Sequence, residues 1–502
     1  MSTPTRRSGP PQGAAARELI DSGFALENAD APFLHDGLNL ADIAHVLDLL
    51  SRGIVPTSAA KDLLGLLLEV QTIAADDFPY DPEFGEPYNS RERFFVERLG
   101  KAAGWLHAGR PRREAARIAL RIYVREQLLE LVGEVVEFAR DTTALAGRHV
   151  ETLMPDQTYL QQAQPSTFGH YALSFVYPAV RDAHRLLDEF DDINRSPAGA
   201  GCVNGTRLLG DRTRIAAALG FGEVIEHTRD AMWQIDGFIH VLASAASLLS
   251  TQSKLAEDLE IWSSSEFDFV DLADAYTRSS VLMPQKRNPY SLSIVRGACG
   301  VLIGRLTGFL AVAKSPSARS DNLIFAYGEV PRALDLTIRV TRLMTGVVRT
   351  LQVNVERMAR GLDAGYTQAT DLSEFIVQTC HVDYRSAYDV VGRTVREASG
   401  KGIPGARITG AMLDDAAIAE TGHSWGLAGK DLTAALDPQR IIETRVGIGG
   451  AAPSAVESMI VQCEQKADEL LGAVELRRQQ LNDAEDRLVE QARLIAGSAE
   501  DR

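Results

Sequence analysis

Apolar residues recur at alternating three- and four-residue steps through four long stretches of the chain. Ile235, Phe238, Leu242, Ala245, Leu249 and Leu259 form one stripe, and Leu292, Val295, Cys299, Leu302, Leu306, Phe309 and Ala313 form another. Leu129, Val132, Val136 and Ala139 make a third, and Leu336, Val340, Leu343, Val347 and Leu351 a fourth. Such steps place the apolar side chains on one face of a helix, so each stretch predicts a helix with a buried seam. Helical patterns this long without breakers predict a bundle of long helices. No alternating strand pattern of comparable strength and no internal repeat accompanies them, and the predicted fold class is all-α.

Breakers gather in "DDFPYDPEFGEPYNS" (76–90), "SPAGAGCVNGT" (196–206) and "SGKGIPGARITG" (399–410). With the helical stripes they predict a disordered N-terminal arm over 1–17 and an N-terminal helical domain over 18–105. A central helix bundle over 106–360, a C-terminal helical domain over 361–475 and a charged, solvated helix or tail over 476–502 follow.

The formal charge of −16 and pI near 5.2 argue against nucleic acid or an anionic membrane surface as partner, because both need a positive footprint. A small anionic ligand would need a local cationic pocket. The four cysteines (Cys202, Cys299, Cys380, Cys463) are far apart and form no CxxC pair, which predicts neither a disulfide framework nor a zinc knuckle, and a reducing cytoplasm as the simplest home. The arginines of "MSTPTRRSGPPQGAAAR" are followed by no apolar stretch, so the N-terminus fails as a secretory signal. The ten histidines show no metal-ligand spacing, and no metal is expected.

One interruption separates two of the apolar stripes: "RSSVLMPQKRNP" (278–289). Pro289 suits the first turn of a helix, since its missing N–H would be orphaned there anyway, so the stretch reads as a loop feeding a helix N-terminus. Lys286 and Asn288 bring a cation and an amide to that positive end, with Ser279 and Ser280 upstream on chain long enough to fold back. Together they can form an anion cradle with a hydroxyl beside it, although the same residue types are common in ordinary solvated loops.

"SSVLMPQKRNP" resembles the signature loop of the fumarase/aspartase superfamily. Within it the chain is most similar to the argininosuccinate lyase family, through "LHAGRPRREA" (106–115), "TYLQQAQPSTFGH" (158–170), "LAEDLEIWSSSEFDFVDLADAY" (255–276) and "RVGIGGAAPSAVESMI" (445–460). The resemblance implies a homotetramer whose active sites are each assembled from three subunits. It also implies a lyase that makes or breaks a carbon–nitrogen bond in an N-substituted aspartate or related succinyl compound, with fumarate as product or co-substrate and no cofactor. Ser280 is by resemblance the base that removes the proton.

Removing a proton beside a carboxylate creates a doubly negative aci-carboxylate, so a cation and hydrogen-bond donors must already face that carboxylate. Lys286, Asn288, Thr158 and Arg112 are the candidates for that role, with Ser279, Gln164 and Arg113 as further substrate contacts. A serine is a weak base until a nearby ammonium, a helix N-terminus and backbone N–H groups favour its alkoxide.

The chain also departs from the family's pattern. Ser279 stands at a glycine and Val281 at the loop's second serine. Tyr159 replaces a histidine and Ser293 the glutamate that orients it; Tyr159 is thus a candidate proton donor or an ordinary packing residue at a helix start. A buried glutamate without its histidine would be an unpaired charge, so losing both together points to a rebuilt site. Pro111 and Arg113 replace a serine and an asparagine, Tyr88 replaces another histidine, and "RSDNLIFAYGEVP" (319–331) lacks the family's lysine. Cleavage of argininosuccinate itself is therefore not expected, and Arg113 points to an anionic group that the parent substrate lacks. Two alternatives remain open at this point: a tetrameric scaffold without turnover, and an enzyme repurposed for another elimination or isomerisation. His170 is expected to pack or cap a helix, and "GAGCVNG" has no preceding strand to make it a dinucleotide loop.

Overall fold

The computed structural model describes residues 13–315 and 321–497; most of the expected N-terminal arm lies outside them, as do Arg319 and Ser320 of the segment 319–331. The longer helices are α1 (Ala31–Ser51), α2 (Thr57–Val70), α3 (Pro87–Leu99), α4 (Arg112–Arg148), α5 (Phe168–Ile193), α6 (Asp236–Trp262), α7 (Tyr290–Ala313), α8 (Glu329–Thr350), α9 (Ala369–Cys380), α10 (Tyr384–Gly400), α11 (Gly410–Thr421) and α12 (Pro453–Gly497). Strand is confined, among the described residues, to small two-stranded ladders. The fold is an all-α helical bundle.

Each of the four apolar stripes contributes to one core. Val132 and Val136 of α4, Leu242 and Leu249 of α6, Leu292 and Leu302 of α7, and Val340 and Val347 of α8 are buried together with Phe138, Phe168, Phe190, Phe238 and Phe309. Truncating any of these phenylalanines to alanine would cost about 3–5 kcal/mol through lost burial and the cavity left behind. A second cluster joins α1, α2, Phe95 of α3 and the first half of α4, and a third holds α9, α10 and α11 around Leu372, Ile376, Val391 and Leu413. The α1–α4 crossing depends on Gly37, where a Cβ would come within 2.6 Å of the Ala119 backbone.

The C-terminal segment is helical, as one form of the expectation had it, but it is not the solvated helix or tail expected to begin at residue 476. That boundary falls inside α12, a continuous helix of 45 residues. Val456, Cys463, Leu470, Val474 and Leu481 pack into the central core, and Leu488, Val489 and Ala492 into the N-terminal cluster. The many charges around these residues sit on the opposite faces of the helix and masked a buried stripe.

Helix α7 is buried on one face only. Ile294, Val301, Ile303 and Leu310 are exposed, and ideal Cβ atoms at Gly297, Gly300, Gly304 and Gly308 would meet nothing within 4 Å. Among the described residues it is the one helix long and apolar enough to cross a membrane on length and composition alone, and it carries Arg296 and Arg305.

Candidate active site

The loop before α7 closes as a short hairpin. Strands β1 (Leu153–Thr158) and β2 (Gln161–Thr167) pair earlier in the chain, and β3 (Arg278–Ser279) pairs antiparallel with β4 (Arg287–Asn288), so Arg278 faces Asn288 and Ser279 faces Arg287. The Asn288 side chain donates to the Arg278 carbonyl at 3.0 Å, and Arg287 holds Asp271 and Asp274 at 2.9 and 2.8 Å. Pro289 caps α7, as its fixed φ suits, and its carbonyl accepts the Leu292 N–H.

Within this frame the Ser280 hydroxyl turns back onto its own exposed loop. Its Oγ accepts the backbone N–H groups of Met283 at 3.0 Å and Leu282 at 3.3 Å. The Lys286 N–H closes the turn onto the Met283 carbonyl at 3.1 Å. The Lys286 side chain lines an open groove of about 340 Å³ with Ser263, Thr277 and Gln285. The sequence placed Asn288 in the anion cradle; here one of its amide hydrogens braces the loop that carries Ser280.

Thr158 and Tyr159 stand on the β1–β2 hairpin. Thr158 pairs with Gln161 and leaves Tyr159 and Leu160 as the two turn residues, at φ +55° and +59°. Glycine and asparagine usually occupy such positions, and a tyrosine there is strained by about 1–3 kcal/mol. Tyr159 is 99% exposed, so the helix-start packing role considered from the sequence does not apply. Gln164 lies further along β2 and is exposed. His170, at the start of α5, is bound to the Gly449 carbonyl at 2.9 Å and to Ser166, and its N–H is capped by Thr167.

Arg112 and Arg113 open α4. Arg112 pairs with Glu86 and donates to Asn89 at 2.8 Å. One chain does not bring them to Ser280. The first turns of α4 pack beside Tyr327, which follows the C-terminal end of α7, whereas the Ser280 loop precedes its N-terminal end. Arg305, about two-thirds of the way along α7, pairs with Glu329 beside Tyr327, so the two are separated by more than half of that helix, on the order of 20 Å.

Beneath Arg112 lies a buried charge network that sequence reasoning missed. Asp42 is fully buried between Arg91, at 3.0 Å, and Arg110, and accepts the Tyr88 hydroxyl at 2.8 Å. Burial alone would raise the Asp42 carboxyl, but the two guanidiniums outweigh it and hold it below the ordinary range. Tyr88, which stands where the family has histidine, is thus a structural partner of this network. Glu114 accepts the N–H groups of Gly199 and Gly201, each at 2.7 Å, and fixes the glycine-rich loop 196–206. The motif "HAGRPRRE" contained Arg110 and Glu114, but pattern alone carries no sign of which charges will be buried.

A model of the family described as lyase matches residues 49–304, and one described as argininosuccinate lyase C-terminal matches residues 366–443. The argininosuccinate lyase of Methanococcoides burtonii is 33% identical over 429 residues, which cover 85% of this chain and 86% of that protein. The chain belongs to the fumarase/aspartase superfamily, close to argininosuccinate lyase. The argininosuccinate lyase of Methanothrix thermoacetophila is 30% identical over 90% of this chain and 91% of its own. A variant of EDDS lyase with bound fumarate superposes with a TM-score of 0.87 at 28% identity, over 96% of both chains. This superfamily member is a carbon–nitrogen lyase.

Proposed function

We propose that the chain assembles as a homotetramer and interconverts an N-substituted aspartate with fumarate and an amine. The observation that carries the reading is the Ser280 hydroxyl held by two backbone N–H groups. Those donors stabilise an alkoxide more than they stabilise the neutral hydroxyl, which lowers the cost of making Ser280 a base. In the forward direction Ser280 takes the proton from the carbon beside a carboxylate, and the electron pair forms the double bond of fumarate as the carbon–nitrogen bond breaks. The leaving nitrogen departs with the bonding pair and gains a proton, for which the exposed Tyr159 hydroxyl is the candidate donor. Lys286, Thr158 and Arg112 hold the carboxylates and offset the doubly negative charge of the intermediate, with Asn288 fixing the loop.

The tetramer is supported by the exposed apolar and glycine face of α7, which suits close helix packing against other copies. It is supported also by the separation of Ser280 from Arg112, which a second subunit would close. Both the argininosuccinate lyases and EDDS lyase fit this reaction class. Argininosuccinate itself is disfavoured by Tyr159, Ser293, Pro111 and Arg113, which stand where the family's contact residues would be.

The test is to incubate the purified protein with fumarate and a panel of amines and follow fumarate loss and adduct formation, beside Ser280→Ala. Ser280-dependent adducts support the reading; no adduct with any amine, or equal adduct with both proteins, overturns it.

A further inference from the structure

From Arg278 to Tyr290 no residue is buried, so the loop that carries Ser280 has no core of its own to hold it. The Asn288 brace and the Arg278 guanidinium, 4.9 Å from the centre of the Tyr290 ring, tie the two ends of the loop to each other. Arg287 ties the loop to the body of the protein. All three nitrogens of its guanidinium donate: Nη1 to Asp271 Oδ1 and Oδ2 at 2.9 and 3.2 Å, Nη2 to the Leu272 carbonyl at 2.8 Å, and Nε to Asp274 Oδ1 at 3.0 Å. The receiving segment is fixed. Val270 and Leu272 are buried in the central core, and Val270–Asp271 pairs with Gln352–Val353 just beyond α8.

Asp271, Lys286 and Arg287 also line the same groove. A groove that receives a dicarboxylate thus carries a carboxylate in its own wall, and Arg287 neutralises it. An unpaired Asp271 would repel an anionic ligand and compete with it for the Lys286 ammonium. Arginine suits both tasks, because its planar fork spans a carboxylate and a carbonyl at once, whereas a lysine brings the same charge as a single point.

Resting on the lyase reading above, we propose that Arg287 is a positioning residue of this site. It locks the loop onto the 271–274 segment, so that Ser280 and Lys286 keep the spacing that proton removal needs, and it masks Asp271 from the substrate carboxylates. Arg287 itself takes no part in the proton transfer. Its two tasks separate: the fork acts on kcat through geometry, and the charge acts on KM.

The experiment compares the full chain with Arg287→Ala and Arg287→Lys in the addition of amines to fumarate. Arg287→Ala is expected to lower kcat on the order of 10²-fold, the scale of a misplaced reacting group, and to raise the KM for fumarate several-fold. Arg287→Lys is expected to restore KM and leave kcat low, a split that a merely structural role would not produce. The ion pairs lie at the surface, so helical circular dichroism is retained. Asp274→Asn, which loosens the tether from its other side, is expected to lower kcat by less. Unchanged kcat in Arg287→Ala, or full recovery of kcat by Arg287→Lys, would overturn the proposal. The rate of chymotryptic cleavage after Leu282 separates the two readings. Faster cleavage of Arg287→Ala, with no turnover by any form of the protein, sinks the lyase reading and keeps the tether; unchanged cleavage sinks the tether whether or not the protein turns over.

Discussion

Ser280 Oγ accepts the backbone N–H of Met283 at 3.0 Å, so the side chain expected to act as base is held by its own loop. The arrangement needs only the tight turn that "SSVLMP" encodes, and it is present in the isolated chain. Ser280→Ala removes the proton acceptor and leaves the β3–β4 ladder and the Asn288 brace in place. The expected outcome is a fall in kcat of about 10²–10⁴-fold, the usual contribution of a positioned base, with unchanged helical circular dichroism. Initial rates of fumarate formation or consumption check it, and a fall of less than a few-fold would assign the base to another group.

The separation of Ser280 from Arg112 leads to a mixing experiment. If a complete site takes Ser280 from one copy and Arg112 from another, a subunit lacking either is inactive in a uniform tetramer. Mixed tetramers of Ser280→Ala and Arg112→Ala chains nevertheless contain some sites with both residues intact. Denaturing and refolding the two variants together is expected to restore activity above that of either variant alone. No gain on mixing, in tetramers shown by native mass spectrometry to be hybrid, would place the whole site within one chain.

The α7 face gives a prediction about assembly. In the single chain a side chain at Gly304 has open space around it, and replacing a helical glycine even favours the helix by up to about 1 kcal/mol. Gly304→Trp should therefore leave the subunit folded and prevent close packing against another copy. Sedimentation velocity is expected to show species smaller than the wild-type assembly, with loss of activity in parallel. An intact tetramer in the variant would move the interface to another face.

The sequence displayed much of this fold because long helices with one-sided seams leave a period that can be counted. Phe238, Leu242, Leu249, Leu292 and Val295 are buried where the steps of three and four placed them. The Ser280 loop was legible for a different reason: prolines and hydroxyls interrupt that period sharply. Only the helix-start alternative for Tyr159 was misplaced, since nothing in "TYLQ" marks a hairpin turn whose usual residues are glycine or asparagine. Asp42, Arg91 and Arg110 are distant in sequence and look like any surface charges. Their burial follows from tertiary packing, which pattern does not encode. The stripe within α12 was lost among the charges of 476–497 for the same reason.

Glu114 supplies a pH dependence. Burial drives its carboxyl up to about 7, against the opposing pull of the Gly199 N–H, Arg110, the Gly201 N–H and Arg212. A native carboxyl above its unfolded value of about 4.3 keeps its proton where the unfolded chain has released it. The contribution of Glu114 to stability is therefore greatest in acid, declines as pH rises from about 4.3 to about 7, and is constant above that. Glu114→Gln removes this titration, and its single amide oxygen can no longer serve both Gly199 and Gly201, so one buried N–H loses its acceptor at a cost of about 1–3 kcal/mol. The variant is expected to show a lower Tm, a flatter dependence of Tm on pH across that window, and faster hydrogen exchange at Gly199 and Gly201. A variant whose Tm follows the wild-type pH profile in parallel would mean that Glu114 does not titrate in the native protein within this range.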